Sequence, residues 1–308
     1  MTSPVPADTA TTTATTTATT PLALAPDQTR PLADIWARYR RNRLALAGLV
    51  VVLVLVLLAL LQPWITPHDP FEQDLLNVAA TPSPQHWFGT DVLGRDLLSG
   101  ILYGLRLAII VGVSTMAGSL LVGVTIGAIA GYRGGIVDAV LMRATDIVLA
   151  FPFLIGAIVI VQALGDSVAV VIVALVALGW TTAARLTRGQ VLSMREAEYV
   201  EAATSIGASG PRIVIRHILP NAIAPVLVYA FTSIGVAVVA MAALAFLGVG
   251  VPADVPEWGR LISQAIPQIQ VPDRQFLWMF PAGAICLFTL AFALVADGLR
   301  DSLDPKLR

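Results

Sequence analysis

Six apolar stretches without a charged residue dominate the pattern of hydrophobic and polar positions, and each is at least 18 residues long. At about 1.5 Å per residue, such a stretch approaches the thickness of a hydrocarbon core of about 30 Å. Because lipid offers backbone groups no hydrogen-bonding partner, we predict one transmembrane helix for each stretch. The six predicted helices are 44–61, 107–130, 147–164, 167–184, 222–251 and 276–296.

The polar segments between these helices divide the rest of the chain. Residues 1–30 are rich in Thr and Ala, and we predict a disordered tail because this composition cannot bury enough apolar surface to fold. Residues 31–43 form a basic segment, and residues 44–308 form the six-helix domain. That domain contains two long outer segments, 62–106 and 252–275, and one long cytoplasmic loop, 186–221.

The distribution of basic residues predicts the orientation in the membrane. With the N-terminus in the cytoplasm, 15 of the 19 basic residues lie on the inner side and 4 on the outer side. Both termini are therefore predicted to be cytoplasmic. Trp64, Trp87, Trp258 and Trp278 fall in or beside outer segments, as expected of an interfacial aromatic belt.

Composition excludes several classes of protein. Hydrophobic residues make up 56% of the chain and charged residues 13%, against about 45–50% and about 25% in soluble domains. A soluble enzyme and a disordered protein are both excluded. The sole lysine, Lys306, follows no Gly-rich loop, although a P-loop requires one. We therefore predict that any ATP is hydrolysed by another chain.

The cytoplasmic loop carries signals for two short helices. Ser193 and Glu196 have the spacing of a capping box, which predicts a helix from about 194 to 206 that Gly207 ends. Ser209 is predicted to cap a second helix, 211–218, which Pro220 closes.

The first of these two helices has an unusual surface. It is acidic and lacks the apolar face of a helix that lies on lipid. The small residues Ala202 and Ala203 beside Glu201 give a low face with one acceptor, which fits insertion into a groove on another protein.

Glycines and acidic residues elsewhere suggest further roles. Gly123, Gly127 and Gly131 recur at four-residue spacing, which places them on one helix face and predicts close helix packing. Five acidic residues of the first outer segment form either a solvated surface or a docking face, and the sequence leaves both open. They are Asp69, Glu72, Asp74, Asp91 and Asp96.

Two groups of polar residues are interpreted as structural or unrelated. Asp146 and Asp297 are predicted either to form structural ion pairs with the nearby Arg143 and Arg300 or to lie at the membrane interface. The three histidines, His68, His86 and His217, are far apart in sequence and are distributed over both membrane sides in the predicted topology. We therefore predict no metal site from them, and no catalytic residue.

Two motifs carry a family resemblance. Residues 201–207, E-A-A-T-S-I-G, with I-L-P at 218–220, resemble the E-A-A loop of binding-protein-dependent ABC importer permeases. His217 stands where that family usually has Ile, although R-H-I-L-P-N at 216–221 resembles the peptide-permease branch. Residues 86–96, H-W-F-G-T-D-V-L-G-R-D, resemble the outer signature of the C-type subunit of dipeptide, oligopeptide and nickel permeases.

The resemblance, which covers about residues 35–308, implies a fold and a set of site residues. The implied fold is the all-α, polytopic type I ABC importer permease in the bacterial cytoplasmic membrane. The loop would be the coupling helix, although Arg212 and Arg216 are equally well explained by positive-inside topology. The implied ATPase-coupling residues are Glu198, Glu201, Ala202, Ala203, Gly207, Arg212 and Arg216. The outer signature comprises Gly89, Thr90, Asp91, Gly94, Arg95 and Asp96.

Partners and cargo follow from the same resemblance. It implies a homologous permease subunit, two ABC ATPase subunits that use ATP and Mg²⁺, and an extracytoplasmic substrate-binding protein, with no cofactor on this chain. The implied cargo is a di- or oligopeptide, with nickel, haem or glutathione as alternatives, and the pathway residues stay unassigned.

Two other functions are weighed against this interpretation. A secondary transporter needs inverted repeats and ion ligands near the midplane, whereas few polar residues lie centrally. They are Ser114, Thr115, Gln162, Ser233 and Thr289. An intramembrane zinc protease needs an H-E-x-x-H motif, and no histidine in the sequence precedes a glutamate.

Overall fold

The computed structural model describes residues 31–303, and all regular structure in that range is helical. The predicted tail 1–30 and the end of the chain, which includes Lys306, lie outside the described residues. The helices are α1 (Pro31–Tyr39), α2 (Arg43–Ile65), α3 (Leu97–Arg133), α4 (Gly135–Ala150), α5 (Phe153–Leu164), α6 (Val168–Met194), α7 (Glu198–Ser205), α8 (Gly210–Ile213), α9 (Leu219–Phe246), α10 (Trp258–Ala265) and α11 (Phe276–Leu303).

The long helices confirm the predicted all-α, polytopic fold. Five helices of the described chain are long and apolar enough to cross a membrane, and there are six if the bent pair α4 and α5 forms one span. The five are Arg43–Ile65, Leu97–Arg133, Val168–Met194, Gly210–Phe246 and Phe276–Leu303.

The predicted third helix, 147–164, is wrong as a single element. It is divided between α4 and α5, which meet at an angle of 87°. Phe151 ends α4 in an extended conformation and Pro152 precedes α5. Proline disfavours the helical conformation of the residue before it, so the apolar run continues while the helix does not.

The second predicted helix begins ten residues too late, because the charged Arg106 interrupts the apolar stretch although the helix runs through it. Asp96 caps α3, and its Oδ2 accepts a hydrogen bond from the Ser99 backbone N–H at 2.8 Å. With α2 continuing to Ile65, the first outer segment shrinks from the predicted 62–106 to residues 66–96, named here the α2–α3 cap.

Pro220 does not close the second short helix as predicted. A π-helical turn, Val214–Ile218, joins α8 to α9, so one helical rod extends over Gly210–Phe246. Proline lacks a donor and crowds the preceding turn, and a wider π turn accommodates both effects. The Asn221 side-chain amide donates to the His217 carbonyl at 2.7 Å, which satisfies one acceptor at this junction.

Helices α3 and α6 pack most closely along the three spaced glycines. A Cβ atom on Gly123 would lie 2.5 Å from the Trp180 carbonyl oxygen, and one on Gly127 would overlap the Ala184 carbonyl oxygen. At Gly131 it would lie 2.9 Å from the Val191 Cβ. The stripe therefore lets the two backbones touch.

The main core lies where α2, α3, α5, α6, α9, α10 and α11 meet. Trp258 is only 1% exposed, and its indole N–H donates to the Ile101 carbonyl at 3.0 Å. Its predicted place in an interfacial belt is therefore wrong, because α10 folds back against the long helices. Trp64 and Trp87 are exposed.

Candidate functional site

The α7–α8 pair, residues 198–213, begins differently from the prediction. The expected capping box is absent because α6 continues to Met194 and takes in Ser193, whose hydroxyl donates to the Gln190 carbonyl at 2.8 Å. Helix α7 starts at Glu198 after a turn, and its N-cap residue Ala197 offers no side-chain acceptor. The negative charges of Glu198 and Glu201 in the first turn stabilise the start of α7 instead, because they interact favourably with the helix dipole.

Gly207 ends α7 as predicted. Its φ of 83° is the left-handed conformation that glycine adopts without a steric penalty. The Gly207 N–H donates to the Thr204 carbonyl at 2.9 Å, and the Ala208 N–H donates to the Ala203 carbonyl at 3.1 Å. These two bonds form a Schellman motif, which turns the chain towards α8.

The two faces of α7 have opposite environments. Val200 and Ala203 are buried in a cluster with Val191 of α6, Ala128 of α3 and Ile213 of α8. Glu198, Glu201 and Ala202 are exposed. The prediction that Ala202 and Ala203 share one face is therefore wrong, since successive helical residues point about 100° apart. Ala203 anchors the helix, and Ala202 belongs to its free surface.

The free surface continues onto α8 and the π turn. Arg212 and Arg216 are exposed, and within the described residues neither forms an ion pair. Two apolar side chains are also exposed here, Ile206 at 87% and Ile215 at 67%. On this surface, two arginines without an ion pair and two exposed apolar side chains thus occur together within the described residues.

The outer-signature residues lie in the α2–α3 cap and are all buried. The Thr90 hydroxyl accepts from the Ala80 N–H at 2.8 Å and donates to the Asn77 carbonyl. Gly89 and Gly94 have φ values of 77° and 75°, and a Cβ atom on Gly94 would overlap the Asp74 carbonyl oxygen. These residues therefore fold the cap rather than cover it.

Arg95 joins the cap to the second outer segment. Its Nε donates to Asp91 Oδ2 at 2.7 Å, and its Nη1 donates to the Asp254 carbonyl at 3.0 Å. Asp91 and Asp96 are each 4% exposed, so for them both expectations, a solvated surface and a docking face, are wrong. Both carboxylates satisfy buried donors instead.

The other acidic residues of the cap, Asp69, Glu72 and Asp74, are exposed. The Asn77 side-chain amide donates to Asp74 at 2.7 Å and is the main reason that the Asp74 pKa lies below its usual value. The Leu76 backbone N–H adds to that shift.

The structure brings together two histidines that the sequence separates. His68 and His86 both lie beside Asp96, and one ligand atom from each of the three residues lies within 4.8 Å of the others. The premise of the prediction against a metal site is therefore wrong for His68 and His86. It holds for His217, which lies in the π turn.

Two acidic residues at the predicted cytoplasmic helix ends, Asp138 and Asp146, form ion pairs across helices. Asp146 accepts from Arg185 of α6 at 2.6 Å, and it also forms the predicted ion pair with Arg143, at a longer distance of 3.9 Å. Asp138 forms a bidentate pair with Arg188, which the sequence analysis missed because the two are 50 residues apart. Within residues 31–303, Asp297 forms no ion pair with Arg300.

A cavity of about 210 Å³ lies between α3, α6 and α9, with a mostly apolar lining that includes several hydroxyl groups. The hydroxyls of Thr115 and Ser119 are buried there and have no hydrogen-bond partner within the described residues. Sequence reasoning named Thr115 and Ser233 but missed Ser119 and Tyr229. The signal was the four-residue spacing of Thr115 and Ser119, which places both on one face of α3.

Two family models match the chain. Residues 123–308 match the model described as binding-protein-dependent transport system inner membrane component. The chain belongs to this family. Residues 30–82 match the N-terminal TM domain of oligopeptide transport permease C. The first match covers α7, α8 and the glycine stripe, and the second covers α2 and most of the cap.

Curated relatives extend the likeness over most of the chain. The oligopeptide transport system permease protein OppC of Bacillus subtilis is 41% identical over 89% of this chain and 90% of its own length. The dipeptide permease DppC of Alkalihalophilus pseudofirmus is 40% identical, covering 90% of this chain and 91% of its own. The glutathione permease GsiD of Escherichia coli is 39% identical, covering 92% and 93%.

These matches confirm the family resemblance found in the sequence. The chain is a C-type permease subunit of an ABC importer and a multi-pass protein of the bacterial inner membrane.

Proposed function

We propose that this permease subunit imports short peptides together with a homologous permease subunit, two separate ATPase subunits and an extracytoplasmic binding protein. The relatives are named for oligopeptide, dipeptide and glutathione transport, and all three cargoes contain peptide bonds. The chain itself binds no nucleotide in this scheme, and the ATPase subunits use ATP and Mg²⁺. Its own work is to change conformation when they close.

The observation that carries the proposal is the two-sided character of α7. Buried Val200 and Ala203 fix the helix to α6 and α3, while Glu198, Glu201 and Ala202 form an exposed face. A partner that binds this face therefore displaces membrane helices rather than a loose loop. The ATPase subunits are the partners that need such a connection.

Motion at α7 has a direct path into the membrane. The Schellman turn at Gly207 leads into α8, which continues through the π turn into α9 as one 37-residue helix. A helix of that length spans about 55 Å. Displacement at Gly210 can thus reach the far end of α9 at Phe246 without an intervening loop.

The cavity between α3, α6 and α9 is proposed to belong to the substrate pathway. The unpartnered hydroxyls of Thr115 and Ser119 lie on one side of it, and Tyr229 and Ser233 of α9 lie on the other. Hydroxyl groups both donate and accept hydrogen bonds, which suits the amide groups of a passing peptide. Movement of α9 would change the width of this cavity.

A charge reversal on the exposed face tests the coupling role. In the complete importer, Glu201→Arg is expected to reduce peptide uptake at least tenfold. The amount of chain in the membrane should stay unchanged, because Glu201 is exposed and makes no ion pair within the described residues. Uptake is measured with labelled peptide in proteoliposomes. Wild-type uptake by this variant would remove the coupling assignment.

Cross-linking supplies a matched control for the same helix. In a chain with Cys286→Ser, the single substitution Ala202→Cys is expected to cross-link to an ATPase subunit. Ala203→Cys is expected to remain unlinked, because its side chain is directed into the buried cluster. Equal labelling of the two variants, or none at Ala202→Cys, would contradict the proposed contact.

A further inference from the structure

The α2–α3 cap brings three metal-ligating side chains together from separate parts of the segment. His68 lies just after α2, His86 lies in the middle of the cap, and Asp96 caps α3. Nδ1 of His86 is 2.9 Å from Asp96 Oδ1, and Nδ1 of His68 is 3.7 Å from the same oxygen. The two imidazole rings lie 4.7 Å apart.

These separations match a coordination sphere. Bonds of about 2.0–2.1 Å in a tetrahedral site place neighbouring ligand atoms about 3.3 Å apart. The two distances to Asp96 Oδ1 lie on either side of that value. A cation seated between the three atoms would therefore need only small side-chain adjustments.

A second layer of hydrogen bonds holds the carboxylate in place. Asp96 Oδ2 accepts from the Ser99 N–H at 2.8 Å and from the Ser99 hydroxyl at 2.6 Å, which leaves Oδ1 directed at the histidines. The Ser99 hydroxyl oxygen in turn accepts from the His68 backbone N–H at 3.2 Å. One serine thus positions two of the three ligands, as is usual for the groups that surround metal ligands.

The third ligand is positioned by a separate turn. The His86 backbone N–H donates to the Ser83 hydroxyl at 3.1 Å, and its carbonyl accepts from the N–H groups of Ser83 and Gly89. Gly89 belongs to the buried signature, so the His86 backbone is tied to the rigid part of the cap. The three ligands are held before any ion arrives.

The exposure of the three side chains is graded. Asp96 is 2% exposed, His86 23% and His68 39%. The ligand set therefore has a buried base and an open side, through which an ion could enter and a water molecule could complete the coordination. Two imidazoles and one carboxylate suit a borderline divalent transition-metal ion such as Zn²⁺, rather than Ca²⁺ or Mg²⁺, which prefer oxygen ligands.

We propose that His68, His86 and Asp96 bind one divalent transition-metal ion of the Zn²⁺ class. The bound ion would join the end of α2, the middle of the cap and the start of α3, and would stabilise the cap against unfolding. The site is independent of the transport proposal, since it needs only this chain.

The test measures Zn²⁺ on the full-length chain, purified in nanodiscs through a tag without histidine. Equilibrium dialysis is expected to show one saturable site per chain, and Zn²⁺ is expected to raise the unfolding temperature relative to EDTA. His68→Gln and His86→Gln should each weaken binding at least tenfold and abolish the thermal shift. His217→Gln, a change of the same kind far from the cap, should leave both unchanged.

Asp96 is left intact in this test because it caps α3, and its loss could unfold the cap directly. Two results would overturn the site. One is the absence of saturable Zn²⁺ binding in the wild-type chain. The other is equal Zn²⁺ binding by wild type, His68→Gln and His86→Gln, which would leave the cluster as a hydrogen-bonded His–Asp contact.

Discussion

Charged side chains have opposite environments in the α2–α3 cap and in the α7–α8 pair. In the cap, Asp91, Arg95 and Asp96 are buried, and each makes several hydrogen bonds within the chain. In the pair, Glu201 and Arg212 are exposed and form no ion pair within the described residues. The cap is completed by its own sequence, whereas the pair leaves its surface available for another molecule.

This difference shows that two motifs of one family can have different structural characters. Both the outer signature and the E-A-A segment mark the same family, yet the first maintains a fold and the second offers a surface. A motif of buried polar residues is costly to change because each lost partner leaves an unsatisfied group. The exposed residues of the E-A-A segment, Glu201 and Ala202, can be changed with little effect on folding, which is consistent with the proposed contact with a partner.

The largest expected effect compares a buried ion pair of the cap, Asp91–Arg95, with an exposed ion pair just before α7, Arg195–Glu196. Asp91→Ala leaves Arg95 buried without its carboxylate, which should cost about 3–5 kcal/mol. Glu196→Ala breaks the Arg195–Glu196 pair, in which the glutamate is 80% exposed, and should cost less than about 1 kcal/mol. Unfolding of both variants in nanodiscs gives the comparison. Similar losses of stability would show that the buried ion pair of the cap stabilises the fold no more than the exposed ion pair just before α7.

A smaller, pH-dependent effect concerns another buried acid on the predicted outer side. Glu257 is 0% exposed, and burial raises its pKa from 4.5 to about 7. The folded chain therefore binds the proton of Glu257 more tightly than the unfolded chain does. The contribution of this proton to the free energy of unfolding is fully present below pH 4.5 and is lost as pH rises through 7. Glu257→Gln, which mimics the neutral acid, should therefore gain stability over wild type as pH rises.

That gain should approach about 3 kcal/mol above pH 7, at about 1.4 kcal/mol per pKa unit, and should be small near pH 5. Unfolding temperatures of both chains between pH 5 and 8 measure it. Glu72→Gln makes the same change at an exposed position of the cap and controls for the substitution itself. A wild-type-to-variant difference that is flat across this pH range would contradict the raised pKa that burial gives Glu257.

The smallest expected effect is confined to the α7–α8 pair. Gly207→Ala forces a Cβ atom onto a residue with a φ of 83° and should cost about 1 kcal/mol. Amides of α7 should then exchange with deuterium about fivefold faster, while those of the cap stay unchanged. Gly189→Ala, which has open space around its Cβ position, serves as the control. Unchanged exchange in α7 would show that the Schellman turn does not hold the helix.

The sequence predicts the membrane helices well because hydrocarbon selects for long apolar stretches irrespective of tertiary context. Helix ends are predicted less well where a polar contact decides them. Helix α3 continues through the charged Arg106 and starts directly after its cap residue Asp96, ten residues before the predicted start, and the π turn carries the chain past Pro220. Neither effect appears in hydropathy, since each depends on the geometry of one turn.

The candidate sites show the same limit. Gly207 could be placed from its residue type alone, because few other residues adopt its backbone conformation. The opposite directions of Ala202 and Ala203 depend on where α6 and α3 lie. His68 and His86 are 18 positions apart, and their meeting depends on hydrogen bonds of the cap to the hydroxyls of Ser83, Thr90 and Ser99, which local patterns do not encode.

The glycine stripe defines a fixed frame inside the molecule. Since backbone lies against backbone at Gly123, Gly127 and Gly131, α3 and α6 cannot slide or rotate past each other without atoms colliding. The two helices therefore move as one body, and any rearrangement that opens or shuts the membrane path must be absorbed elsewhere. The elbow between α4 and α5, where two short helices meet without a shared hydrogen-bond ladder, is the joint best built to bend.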